Sequence, residues 1–131
     1  MNDITNREDI ELLLEAFYRK AVTDPLIGYF FTEVVPLNMQ THIPLITNFW
    51  ETVLFGKATY KGNVMQMHQH IHQLSPFKEV HFKRWVELFK DTVDEMYTGE
   101  KAEMAKQRGE SVATLMRIKI LHSGIGPKEN S

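Results

Sequence analysis

A chain of 131 residues has the length of one domain, enough to bury about two-thirds of its unfolded surface around a single core. Hydrophobic residues make up 43% and charged residues 24%, the usage of ordinary globular domains, which points away from disorder and from a membrane span. A formal charge of -2 with scattered Lys and Arg argues against a nucleic-acid binder, and the absence of cysteine excludes disulfides, a thiolate nucleophile and Cys-ligated zinc or iron–sulfur clusters.

The N-terminal stretch Met1-Asn2-Asp3-Ile4-Thr5-Asn6-Arg7-Glu8-Asp9 lacks the basic start and apolar run of a signal peptide, so cytoplasmic residence is expected. Apolar residues then recur at spacings of three and four, the helical period, in Ile10, Leu13, Leu14, Phe17 and Ala21. A first helix is expected from near Asn6, with Asn6 as N-cap and Asp9 three residues on, to about Val22, where Asp24-Pro25 stops it. A short helix or turn carries Leu26, Ile27, Tyr29, Phe30 and Phe31.

Pro36 breaks the next segment. Asn38 or Thr41 can cap a helix running to about Phe55 through Ile43, Ile46, Phe49, Trp50, Val53 and Leu54, with Pro44 tolerable in its opening turn. Gly56 to Asn63 reads as a loop with a glycine near each end, and a short segment from about Val64 to His72 ends at Ser75-Pro76. A long amphipathic helix comes next, from about Lys78 to Tyr97, with Phe82, Trp85, Val86, Phe89, Val93 and Met96 on one stripe. Gly99 separates it from a last helix, about Glu100 to Leu121, and the tail at 123–131 is expected to fray. The reading is an all-α domain of five or six helices spanning 1–122, with a flexible C-terminal tail.

Three of the six histidines lie in Met67-His68-Gln69-His70-Ile71-His72-Gln73. At about 100° per residue, His68 and His72 share a helix face while His70 points about 200° away from His68, so one helix cannot aim all three at one ion. His68 and His72 could chelate a divalent ion in the i, i+4 manner, completed by His42, His81 or Glu51 from elsewhere in the chain. Alternatively one histidine faces an interior pocket and ligates a cofactor iron. The bland reading makes all three solvated surface residues. An abundance of aromatic residues and seven methionines would suit a large flat apolar cofactor, although such stripes serve equally well as core.

Four strings taken together resemble the group III truncated haemoglobins, compact bacterial globins. They are Phe17-Tyr18; His42 followed by Asn48-Phe49-Trp50; Tyr60-Lys61-Gly62-Asn63-Val64-Met65 leading to His68; and His81-Phe82-Lys83-Arg84-Trp85-Val86-Glu87-Leu88-Phe89. The resemblance covers about residues 8 to 120 and implies a shortened globin fold, a two-over-two helical sandwich around one haem b (iron protoporphyrin IX). In that pattern His68 is the proximal iron ligand, with Val64 in place of the usual proline. His72, one helical turn on, is the alternative, because counting back from Trp85 places the ligand position on Ile71, between two histidines.

The resemblance also maps Tyr18, His42 and Trp85 to the polar distal positions, where a phenol O–H, an imidazole N–H and an indole N–H can donate to a bound diatomic ligand. Phe31, Phe49, Trp50, Met65, Phe77 and Phe82 complete the expected haem lining. The resemblance thus implies a monomeric binder of O₂, NO and CO. Three polar distal groups favour NO dioxygenase-like or peroxidase-like chemistry, fed by an unidentified reductase, over oxygen transport. The alternative in another class is a non-haem metal-binding or structural helical domain built on His68 and His72.

Overall fold

The computed structural model describes residues 1–34, 38–57 and 77–122, apart from the side chains of residue 34 and of residues 119–122. Four α-helices account for most of them: α1 (Arg7–Ala21), α2 (Met39–Phe55), α3 (Glu79–Met96) and α4 (Glu100–His122), with a short π-helical turn at Phe30–Val34. Among the described residues the all-α expectation holds.

Helix α1 begins where its sequence says it should. Asn6 is extended, and its side chain accepts the Asp9 N–H at 2.9 Å, a cap of the kind worth about 1 kcal/mol. Glu8 and Asp9 at its start and Arg19 and Lys20 at its end complement the helix dipole. The chain then turns on Asp24, whose carboxylate accepts the N–H groups of Leu26 and Ile27 at 3.0 and 3.1 Å. Gly28 is required there, because a Cβ would stand 2.7 Å from the Val22 carbonyl oxygen. The expected short helix or turn is therefore a turn through Ile27 followed by the π-helical turn.

Asn38, not Thr41, caps α2, accepting the Gln40 N–H at 3.0 Å. This choice moves Pro44 out of the opening turn, its expected place, and into the second turn of the helix. The amide that Pro44 lacks would have served the Gln40 carbonyl, so the start of α2 is one rung short. The helix ends at Gly56, whose φ of 70° is the left-handed conformation favoured just beyond a helix C-terminus.

Helix α3 lacks a Ser, Thr or Asp cap; instead the His81 Nδ1 reaches back to accept the Lys78 N–H at 2.8 Å. Helix α4 is capped from far away in sequence. Asp3 accepts the N–H groups of Lys101 and Ala102, each at 2.8 Å, and Gly99 makes room, since a Cβ on it would meet the Asp3 Cγ at 2.6 Å. Lys101 in turn donates from Nζ to the Leu54 carbonyl at 2.9 Å, closing the C-terminus of α2.

Helices α1 and α2 pack together, as do α3 and α4, and the pairs meet through α1 on α3 and α2 on α4. Ile10, Leu13, Leu14, Phe17, Trp50, Leu54, Phe89 and Val93 form the centre of the core. Each such side chain contributes roughly 1.5–3 kcal/mol by leaving water. Two buried carboxylates tie elements together: Glu51 with Arg7 at 3.0 Å, and Asp24 with Arg84 Nη2 at 2.8 Å. Among the described residues no helix is long and apolar enough to cross a membrane. The expected loop after Lys57, the histidine segment and the 123–131 tail lie outside the described residues.

Candidate functional site

Tyr18 leaves the buried stripe of α1 directly after Phe17, and His42 leaves the first turns of α2 beside it. The Tyr18 hydroxyl and the His42 Nε2 are 2.9 Å apart, and the two rings meet edge to face with centroids 4.9 Å apart. Burial pushes the Tyr18 hydroxyl well above the usual phenol range, so it keeps its proton. Two proton arrangements satisfy this bond. If the phenol donates to Nε2, its hydrogen is spent on His42; if Nε2–H donates to the phenol oxygen, the O–H can point at a third group.

Phe31, from the π-helical turn, stands edge-on to Tyr18 at 5.7 Å, and Phe17 does so at 5.1 Å. Trp85 of α3 packs edge-on against Phe17 at 5.7 Å, so Phe17 is the ring that joins Trp85 to the tyrosine. The structure thus brings Tyr18, Phe31 and His42 into one cluster, with Trp85 one ring away.

Helix α2 carries two apolar faces. Ile43, Thr47, Trp50, Glu51 and Leu54 are buried in the bundle. On the adjoining face, His42, Ile46, Phe49 and Val53 are half-buried, and Leu45 is 58% exposed. An apolar ribbon that the protein leaves partly open, headed by a histidine bonded to a buried tyrosine, fits the lining of a flat apolar cofactor with one polar edge. The residues present therefore suit a haem on this face.

The remaining candidates divide. Trp50 is only 4% exposed and stacks on Phe89 in the core, with Phe49 edge-on to it at 5.5 Å. Phe77 belongs to a second aromatic group, 4.6 Å from Phe30 and 5.5 Å from Phe82, with Phe82 buried against Met116. A cleft of about 290 Å³ between α3 and α4, bordered by Phe82, Val86 and Arg117, includes none of Tyr18, His42 or Trp85. Met65, His68 and His72 lie outside the described residues.

The chelate on His68 and His72 lies outside the described residues; of its three alternative completing ligands, His42 bonds Tyr18. His81 is occupied by the Lys78 amide and packed on Phe30 at 4.9 Å, while Glu51 is paired with Arg7 and Lys57. Among the described residues no group of three or more His, Asp or Glu is placed to hold a metal. Sequence reasoning missed Phe17 as the ring joining Tyr18 and Trp85, and Arg84 as the partner of Asp24. The Asp24-Pro25 stop was visible, but a pairing partner 60 residues away leaves no local mark.

The paired helices thus bring a Tyr–His couple beside a partly open apolar face of α2, and comparison with known proteins gives the family. The chain is 30% identical over 112 residues to the group 3 truncated hemoglobin ctb of Campylobacter jejuni, a match covering 83% of this chain and 86% of that protein. The crystal structure of a group III truncated hemoglobin from Campylobacter jejuni superposes with a TM-score of 0.80 at 27% identity, covering 95% of this chain and 98% of that one. No protein-family model matches the chain. The chain belongs to the group III truncated haemoglobins, and its fold is the two-over-two globin fold. Membership makes it a haem-binding globin.

Proposed function

We propose that this globin binds haem b through His68 and handles O₂ or NO, or cleaves peroxide, at a site faced by Tyr18, His42 and Trp85. The observation that carries the reading is the 2.9 Å bond between the Tyr18 hydroxyl and the His42 Nε2 in an aromatic enclosure. Haem held in this way would supply an iron able to bind a diatomic ligand.

The chain's own residues account for the rest. His42 donating from Nε2 into the phenol oxygen fixes the Tyr18 O–H so that it can serve the ligand, and each bond in such a chain polarises the next. Phe17 and Phe31 brace the phenol edge-on and limit its contact with water. The Trp85 indole N–H is a third potential donor. Phe49 lies on the same half-open face of α2 as His42, and we assign it to the haem lining together with Phe31, Met65, Phe77 and Phe82. A ligand held by several donors leaves slowly, which suits chemistry on that ligand with electrons from a reductase better than delivery of oxygen.

Purified protein is expected to show a Soret band that survives gel filtration. His68→Ala should lose the Fe–His stretching band in resonance Raman spectra while His72→Ala keeps it; the opposite result moves the proximal ligand to His72. Tyr18→Phe should speed O₂ dissociation by roughly tenfold, the value of one hydrogen bond at about 1.4 kcal/mol. An unchanged off-rate removes Tyr18 from the ligand site.

A further inference from the structure

Three rings form a continuous stack across the core. Trp85 and Phe89, both on α3, lie 5.3 Å apart between centroids with planes 4° from parallel. Phe89 and Trp50 of α2 lie 5.0 Å apart with planes 18° from parallel. Both indoles of this chain thus stack near-parallel on the same phenyl ring. Helix α4 makes way for the stack at Gly109, where a Cβ would stand 2.9 Å from the Cδ2 and Cε2 of Phe89 and 3.7 Å from the Cη2 of Trp50. Phe17 meets Trp85 and Phe89 edge-on, at 75° and 79°, and so borders the stack without joining it.

The ends of the stack differ in access. Trp85 is half-buried on the side that Phe17 links to Tyr18, whereas Trp50 is 4% and Phe89 1% exposed. Indole gives up one electron far more readily than a phenyl ring does. An electron can therefore pass between the tryptophans with Phe89 serving as the bridge that couples them, never itself oxidised.

We propose that Trp85, Phe89 and Trp50 form an electron relay that carries an oxidising equivalent from the pocket side into the core. A one-electron oxidant removes an electron from the Trp85 indole and is itself reduced by one electron. Trp50 then passes one electron through Phe89 to the Trp85 radical cation. Trp85 is restored, the electron vacancy rests on Trp50, and the hop moves no proton. In the cell the relay would draw damage away from the Tyr18–His42 pair when peroxide reacts in the pocket. That use rests on the peroxide chemistry proposed for this globin, but the relay itself rests only on the stack.

The test uses the whole 131-residue chain as purified, irradiated with tris(bipyridine)ruthenium(II) and pentaamminechlorocobalt(III), a quencher that leaves no oxidising radical. The photogenerated ruthenium(III) is the one-electron oxidant, and it is too bulky to reach a tryptophan as buried as Trp50. Peptide mass spectrometry then locates oxygenated tryptophan. The relay predicts oxidation at Trp50 in the parent chain and a several-fold drop both in Trp85→Phe, whose ring is too hard to oxidise, and in Trp85→Tyr, whose phenol loses its proton on oxidation and holds the vacancy as a neutral radical. Both substitutions fall at a half-buried position and keep a ring in place, with folding checked by circular dichroism. Oxidation confined to Trp85, or Trp50 oxidised equally in Trp85→Phe, overturns the relay. Parallel exposure to hydrogen peroxide separates the two proposals: transfer under ruthenium(III) without transfer under peroxide supports the relay and counts against peroxide chemistry.

Discussion

Arg84 clasps Asp24 with two nitrogens on one carboxylate oxygen, Nε at 2.9 Å and Nη2 at 2.8 Å, and so fastens α3 to the turn that follows α1. Burial alone would raise the Asp24 carboxyl, but Arg84 and the amides of Ile27 and Leu26 outweigh it and hold it below the usual range. A carboxyl depressed in the folded state contributes stability above its unfolded pKa and loses it as pH falls through the folded value. Arg84→Ala leaves a buried carboxylate short of its cation and should cost roughly 1–3 kcal/mol in urea unfolding at pH 7. The deficit should shrink below about pH 4, where the unfolded-state carboxyl protonates.

His81 gives a second pH dependence at a different place on the scale. Burial, and then the nearby Lys78 charge, push its imidazole below the usual histidine range. Protonation would also block the Nδ1 that accepts the Lys78 N–H. Neutral His81 therefore supports the fold fully above about pH 6.5, and its contribution fades as pH drops through the lower folded value. Thermal melts between pH 7.5 and pH 5 should show a downward slope that flattens in His81→Gln. A slope that is the same in both proteins would remove His81 as its source.

Thr47 is fully buried on α2, and its hydroxyl has no hydrogen-bond partner among the described residues. An unpaired hydroxyl in an apolar setting opposes folding, and valine has nearly the same shape without it. Thr47→Val should raise the unfolding free energy by roughly 1 kcal/mol. Urea denaturation at pH 7 would show this as a higher midpoint at unchanged slope, whereas a lower midpoint would mean that the hydroxyl is satisfied in solution.

Gly109 lies inside α4, where alanine normally stabilises a helix by up to about 1 kcal/mol. Here the new methyl would enter the Phe89 ring at 2.9 Å. Overpacking of this kind costs typically about 1–3 kcal/mol, so Gly109→Ala should lower the melting temperature despite the better helix propensity. Because it pushes on the Trp50–Phe89 contact, the variant should also change tryptophan fluorescence.

The helix boundaries were legible because they are local. Asn6, Asn38 and Gly56 act on neighbouring amides or turns, and the 3.6-residue period shows which face goes inward. Pro44 was placed one turn too early only because two caps competed and the farther one prevailed. On α3 the single stripe read from the sequence omits Leu88 and Thr92, which are buried as well because α3 packs against both α1 and α4. Composition and periodicity could not pair Tyr18 with His42; the order of the family's motifs selected both residues, and the fold sets them 2.9 Å apart. Trp50 shows the converse. The motif nominated it for the haem lining but gave no sign that its ring stacks on Phe89, a contact that depends on where three helices cross.

The cap of α4 bears on how the chain assembles as it is made. Asp3 precedes the amides it closes by 98 and 99 positions, so it is made well before them. Until they arrive its carboxylate is solvated, while α1 and α2 can already dock. Closing that cap joins nearly the whole described chain into one loop, an entropic step that grows slowly with length but is paid only at the end. Helix α4 is thus sealed by a side chain made well before it, and its start becomes a late checkpoint on whether the bundle has formed.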